Sequence, residues 1–276
     1  MKIKSYAKIN LTLKVLKKLK SGMHDIESHV CLIDLHDEIE IKKNNKDDII
    51  FKGQFKKKIS SKKNSILSTL KILRANNIIK NFYKITVKKN IPVFSGLGGG
   101  TSNSVAIAKY FLKRNPNEFL VKKLEKKIGS DFRVFLNSFS YQKNLKKIKG
   151  KKNFFTLFFV VVFPMISCKT KYVYSLVKNY NYSRKKNYFV LRNVSNFFKE
   201  AKSDGNDLQK IIEKKYCSIK KLINYLKIQK GCVFSRMTGS GSACYGLFES
   251  KNAANIARKK IKKKYANYWC ATTKTI

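Results

Sequence analysis

A chain of 276 residues that is 43% hydrophobic and 12% aromatic has too much apolar content for a disordered protein, and it is long enough for one large domain or two ordinary ones. Its formal charge of +45, from 61 Lys and Arg against 16 Asp and Glu, raises nucleic-acid binding as a function. The lysines are spread over nearly every segment, without an RNA-recognition signature, zinc finger or basic zipper, so they read as compositional drift on solvated faces: salt-sensitive polyanion binding follows, but no specific nucleic-acid partner.

The six cysteines (Cys31, Cys168, Cys217, Cys232, Cys244 and Cys270) form no C-x-x-C pair and have no adjacent His, which excludes a disulfide framework and a zinc site and predicts no resident metal. The N-terminus lacks an apolar targeting run, and the longest apolar stretch, "LFFVVVFPMI", is too short to span a bilayer. A cytoplasmic protein without membrane association is expected.

Alternation of Ile3, Ser5, Ala7, Ile9, Leu11, Leu13 and Val15 with mostly polar or charged neighbours predicts one long half-buried strand. Further strands are expected near 28–34, 38–43 and 83–88. "NSILSTLKILRANN" fits a helix capped by Asn64 or Ser65, with Ile66, Leu67, Leu70 and Leu73 at helical spacing. A buried helix carrying Val105, Ala106, Ala108, Phe111 and Leu112, with Lys109 its one charge, and a second helix over 118–128 complete the first half.

"FFTLFFVVVF" predicts a strand buried on both faces, followed by helices near 170–178, 206–215 and 218–228. Strands near 233–238 and 243–248 flank "TGSGSA", a helix covers 251–264, and "YWCATTK" closes as a strand. This β-α-β-β-α-β order is that of a ferredoxin-like sandwich. The Lys-rich stretch "QKNLKKIKGKKN" sets an expected boundary, giving an N-terminal domain over 1–150 and a C-terminal domain over 151–276 in an α+β protein.

"FSGLGGGTSN", Phe94 to Asn103, places four glycines in five positions between a strand and a helix. Glycines there let the backbone approach a ligand, the first N–H groups of the helix point at it, and the helix dipole favours an anion, most naturally phosphate. Thr101, Ser102 and Asn103 supply side chains able to cap the helix or bond a phosphate oxygen. No Lys follows Gly100, as a Walker A loop requires, and no third glycine or later acidic residue completes a dinucleotide fingerprint.

The stretch "IPVFSGLGGGTSN" resembles the phosphate loop of the GHMP small-molecule kinases. "AKINLTL" at Ala7, "SGMHDIES" around His24, "GSDFRVFL" around Asp131, "GNDLQ" at Gly205 and "MTGSGSACYGLF" at Met237 are similar, in order, to one branch of that family, which phosphorylates the 2-hydroxyl of a cytidine-diphosphate-linked alcohol in non-mevalonate isoprenoid biosynthesis.

The resemblance implies a two-domain GHMP kinase fold, as monomer or homodimer, with ATP and Mg²⁺ as cofactors and a small-molecule substrate. ATP would be held by Pro92, Val93, Phe94, Ser95, Gly96, Leu97, Gly98, Gly99, Gly100, Thr101 and Ser102. It makes Asp131 the acceptor of the substrate proton and Lys8 the cation that orients it. Asn10, Met23, His24, Thr170, Tyr174, Gly239, Ser240 and Gly241 would line the substrate, with His24 on the cytosine.

On composition alone Lys8 would be a wet surface lysine, His24 an exposed turn histidine, and His29 and His36 structural or solvated. Met23 stands where the family usually has Tyr, and Arg133 where it usually has Pro. A cation there would hold the Asp131 carboxyl ionised. The family's usual glycine-rich, acidic segment is replaced by "KNLKKIKGKK". Another alcohol kinase of the family, an inactive kinase and a basic nucleic-acid-binding protein on a similar scaffold are the competing readings.

Overall fold

Alternating burial along the opening residues makes a strand, β1 (Lys2–Asn10), which is followed by β2 (Lys14–Lys18) and the long β3 (His24–Asn44). β4 (Asp48–Lys52), α1 (Ser65–Ala75), β5 (Phe82–Lys88), α2 (Gly99–Phe111) and α3 (Glu118–Ile128) come next, then a 3₁₀ segment over Ser130–Leu136. β6 (Phe139–Gln142), β7 (Ile148–Lys151), β8 (Phe158–Phe163), α4 (Thr170–Ser175), α5 (Val194–Ser203), α6 (Asp207–Lys215) and α7 (Cys217–Lys227) follow. The chain closes with β9 (Cys232–Met237), β10 (Cys244–Phe248), α8 (Lys251–Lys264) and β11 (Trp269–Lys274). The computed structural model describes residues 1–113, 117–145, 147–151, 155–181 and 193–276.

The chain divides into two compact units, one comprising Met1–Ala7, Leu35–Val93 and Gly98–Leu136, the other Lys8–Asp34, Phe94–Leu97 and Asn137–Ile276. In the first, β4 runs parallel to β5, and β5 pairs antiparallel with the second half of β3, Ile41 opposite Ile85. Asn64 and Asn117 cap α1 and α3, accepting from Leu67 N at 3.0 Å and Leu120 N at 2.8 Å. The buried stripes of the helices, with Ile66, Leu70 and Leu73 on α1 and Leu120, Val121 and Leu124 on α3, follow the helical period.

In the second unit β8, β9, β10 and β11 form one antiparallel sheet in the order β11-β8-β10-β9. Numbered along the chain, that order is four-one-three-two, which is the ferredoxin-like topology the sequence predicts. Val160 and Val162 of β8 share a core with Leu222 and Leu226 of α7, Met237, Cys244, Phe248, and Ala254, Ala257 and Ile261 of α8.

Four expectations change. The single strand over residues 3–15 is interrupted at Leu11–Leu13, because Leu13 bridges to Asn206 and its N–H donates to the Gly205 carbonyl at 2.9 Å. The strands expected near 28–34 and 38–43 are one continuous β3. The helix expected over 170–178 is the shorter α4. The central strand expected from Phe154 is the shorter β8, which begins at Phe158, and Phe154 itself lies outside the described residues. All six cysteines are free, and among the described residues no helix is long and apolar enough to cross a membrane.

Candidate active site

The glycine loop is anchored within the second unit through its first four residues. The Cys168 N–H donates to Phe94 O at 3.1 Å, the Ala243 N–H to Ser95 O at 2.9 Å, and the Lys8 N–H to Leu97 O at 3.1 Å. Gly96 sits at φ +83°, and a Cβ there would collide with the Thr238 carbonyl oxygen and lie 3.0 Å from Gly241 N. Only glycine allows this approach of the loop to the turn over 238–243. Pro92 is buried, Val93 is half-buried, and Phe94 stands out from the surface.

Gly98 precedes α2, whose Gly99, Gly100 and Thr101 form a first turn without an acidic residue. The first N–H groups of a helix have no intrahelical acceptor, and at Gly100 an added Cβ would meet nothing within 4 Å. Backbone donors, the helix dipole and open space therefore coincide, as an anion site requires.

The polar residues behind the glycines turn inward. Ser102 Oγ donates to Tyr6 O at 2.5 Å and accepts from Ser5 Oγ at 2.7 Å. Asn103 Nδ2 donates to Ser5 Oγ and Asp37 Oδ2, both at 2.9 Å, while its Oδ1 accepts from Lys89 Nζ at 3.2 Å. Lys89 and Asp37 form a fully buried ion pair, and Asp37 Oδ1 accepts from Asn90 N at 2.8 Å and Ile91 N at 2.9 Å. Asn103 thus fixes α2 to its own unit rather than serving a ligand, and Thr101, half-buried, is the hydroxyl left nearer the surface.

Asp131 is the second residue of the 3₁₀ segment in the first unit, half-buried, two residues after Gly129. Phe132, Val134 and Phe135 anchor that segment, and Lys109 of α2 donates to the carbonyl oxygens of Phe135 at 3.1 Å and Leu136 at 3.2 Å. The lone charge on the buried helix thus caps the segment that carries Asp131. Arg133 differs from its expected role: its guanidinium donates to Glu118 at 3.0 and 2.7 Å and to Glu125 at 2.8 Å. Those carboxylates, Glu118 foremost, push its pKa further up, so two anions already match its charge.

Lys8 is 5% exposed, so the wet-lysine reading fails. In the second unit its Nζ donates to Asn10 Oδ1, and the Asn10 N–H donates to Thr238 Oγ1 at 3.0 Å. Asn206 holds the same turn, its Nδ2 donating to Met237 O at 2.8 Å and Gly239 O at 2.9 Å. Thr170 and Ser240 share a hydrogen bond of 3.1 Å.

His24 is no isolated turn histidine: its ring centroid lies 5.2 Å from that of Tyr174 and 6.2 Å from that of Tyr180. Burial first, and Lys18 second, lower its pKa, so the imidazole is neutral at neutral pH. Met23 stays 52% exposed.

The structure therefore gathers Lys8, Asn10, Gly96, Leu97, Gly239, Ser240, Gly241 and Thr170 around the 238–243 turn, and His24 with Tyr174. Sequence reasoning missed Tyr180, whose only signal was an aromatic in "KNYNY", and left "GNDLQ" without a role although Asn206 clamps the turn. His29 is structural, buried and stacked on Tyr141 at 4.6 Å.

A glycine-opened helix beside an acidic residue in one unit, and a buried lysine against a second glycine turn in the other, are the parts of a small-molecule kinase, and the chain belongs to the GHMP kinase family: residues 64–131 match the GHMP kinases N terminal domain and residues 188–267 the GHMP kinases C terminal model. Within that family it is 37% identical to the 4-diphosphocytidyl-2-C-methyl-D-erythritol kinase of Pelagibacter ubique (strain HTCC1062), over 100% of this chain and 99% of that one. The enzyme of the same name from Finegoldia magna is 30% identical, over 96% of each chain. A crystal structure of 4-(cytidine 5'-diphospho)-2C-methyl-D-erythritol kinase superposes with a TM-score of 0.75 at 21% identity, covering 99% of both chains. Homoserine kinase from Cytophaga hutchinsonii gives 0.67 at 16% identity, covering 100% of this chain and 94% of that one, and shares the fold.

Proposed function

We propose that the protein transfers the γ-phosphoryl group of ATP to the 2-hydroxyl of 4-diphosphocytidyl-2-C-methyl-D-erythritol, in non-mevalonate isoprenoid precursor biosynthesis. The observation that carries this is the 37% identity to the Pelagibacter ubique enzyme across the whole of both chains, to within 1% of the latter.

Phosphoryl transfer needs positioned phosphates, neutralised charge and an acceptor for the hydroxyl proton. The N–H groups of Gly99, Gly100 and Thr101 suit the phosphates, with the loop from Pro92 through Gly98 shaping their approach. Asp131 takes the proton from the substrate hydroxyl, and Lys8 stabilises negative charge developing on the transferred group. A neutral His24 hydrogen-bonds the cytosine edge while the Tyr174 ring offers it a stacking face; Asn10, Met23, Thr170 and the Gly239–Gly241 turn complete the substrate contacts.

Magnesium enters as part of MgATP. Such an ion keeps several waters and is held largely through the substrate phosphates. We place the reaction in the cytoplasm, by a monomer or homodimer.

The test is MgATP-dependent ADP release with this alcohol, beside Asp131→Asn on protein shown to be folded. Turnover that Asp131→Asn lowers by about three orders of magnitude supports the reading. A folded parent protein that releases no ADP at saturating substrate overturns it.

A further inference from the structure

Lys8 Nζ carries only donors, so the Asn10 atom facing it must be the carboxamide oxygen. That orientation aims Asn10 Nδ2 away from Lys8, where it donates to Ser28 Oγ at 2.8 Å. The Ser28 hydroxyl in turn donates to the main-chain oxygen of Thr12 at 2.5 Å, an atom that can only accept. The sequence of donors and acceptors therefore runs one way, from the ammonium through Asn10 and Ser28 into the backbone.

None of it is open to water: Lys8 is 5%, Asn10 4% and Ser28 0% exposed. On its other side the pair is pressed against Gly239, where a Cβ would lie 3.1 Å from Asn10 Oδ1 and 3.2 Å from Lys8 Nζ.

We infer that Ser28 is a positioning residue for phosphoryl transfer, setting the Asn10 carboxamide with its oxygen toward Lys8 and so fixing where the ammonium sits. The inference rests on the kinase reading above, in which Lys8 acts on the transferred group. With the hydroxyl gone, Asn10 Nδ2 loses its acceptor in a buried place, and an amide that turns over to find another sets its NH₂ against the ammonium. Either change displaces Lys8 while leaving ATP contacts in place, so the defect falls on kcat.

The experiment compares the parent with Ser28→Ala, Ser28→Thr, Asn10→Ala and the Ser28→Ala/Asn10→Ala double variant, measuring kcat, KM for MgATP and melting temperature. Ser28→Ala is expected to lower kcat about tenfold, the kinetic equivalent of one misdirected buried hydrogen bond, with KM for MgATP within about twofold. Ser28→Thr, which keeps the hydroxyl, recovers most of the loss, and Ser28→Ala adds nothing in the Asn10→Ala background. Should Ser28→Ala not fold, Ser28→Cys, of similar volume and weaker hydrogen bonding, carries the same expectation.

An unchanged kcat in Ser28→Ala, or a loss that adds in full to that of Asn10→Ala, overturns the inference while the kinase reading stands. A parent without activity overturns both.

Discussion

The side-chain amide of Asn206 donates to the carbonyl oxygen of Gly239 at 2.9 Å and, with the same nitrogen, to Met237 O at 2.8 Å, while its Oδ1 accepts from the Leu208 N–H at 3.0 Å. One residue thus caps α6 and clamps the turn against which Lys8 and Asn10 pack. Asn206→Ala strands two buried carbonyls and a helix N–H, and should lower unfolding free energy by about 2–4 kcal/mol in urea titration. Asn206→Asp keeps the cap acceptor but turns a carboxylate oxygen toward both carbonyls, so the retained cap should not restore the stability of the parent. A loss under about 0.5 kcal/mol in Asn206→Ala would mean that the clamp is idle.

The buried Lys89–Asp37 pair in the first unit gives a second test. Asp37→Asn leaves the Lys89 ammonium buried and without its counter-charge, and removal of one partner of a buried pair costs about 3–5 kcal/mol. Adding Lys89→Met removes the stranded charge, so the double variant should be more stable than Asp37→Asn by guanidinium denaturation. A double variant at least as destabilised as Asp37→Asn would show that the carboxylate acts only through the Asn90, Ile91 and Asn103 hydrogen bonds.

Much of this architecture is written locally. The 118–128 helix carries its own Asn117 cap and apolar stripe, β8 is an unbroken apolar run, and the glycines ahead of α2 mark the start of a helix. What escapes is set by distant chain. Lys8 lies on the strand face that alternation leaves wet, and it is buried because Leu97 and the turn at Gly239 return against it. The interruption after β1 is caused by Gly205 and Asn206, nearly two hundred residues on, and no period within the first fifteen residues encodes it. β4 is a five-residue strand with charged ends, too short for alternation to register. α5 buries only Phe197 and Ala201, one turn apart, leaving almost no stripe to read.

Arg133 was expected to act on Asp131, and the geometry reassigns it to α3. Glu118 is 61% exposed at its side chain and Glu125 18%, so the pairs are partly screened by solvent. Arg133→Ala should therefore cost about 1 kcal/mol of stability while kcat stays within about twofold of the parent. A fall in kcat of an order of magnitude or more with the fold intact would return Arg133 to the chemistry.

His29 makes stability depend on pH in a defined direction. Burial drives its pKa down to about 3, with Lys14 adding to the shift and Asp204 opposing it, whereas the unfolded chain titrates near the ordinary value of 6.5. Between those values the unfolded state binds a proton that the folded state refuses. Stability from this group is therefore complete above about pH 6.5 and declines as pH falls toward 3, at up to about 1.4 kcal/mol per pH unit. Carboxylates titrate in part of the same range, so the informative quantity is the difference between the parent and His29→Gln, which cannot titrate. His29→Gln should be less stable at pH 8, where it loses the Thr12 contact and the stacking on Tyr141, yet its stability should fall less between pH 6.5 and pH 4. Parallel curves for the two proteins would show that His29 is protonated in the fold, with one of its buried neighbours receiving the charge.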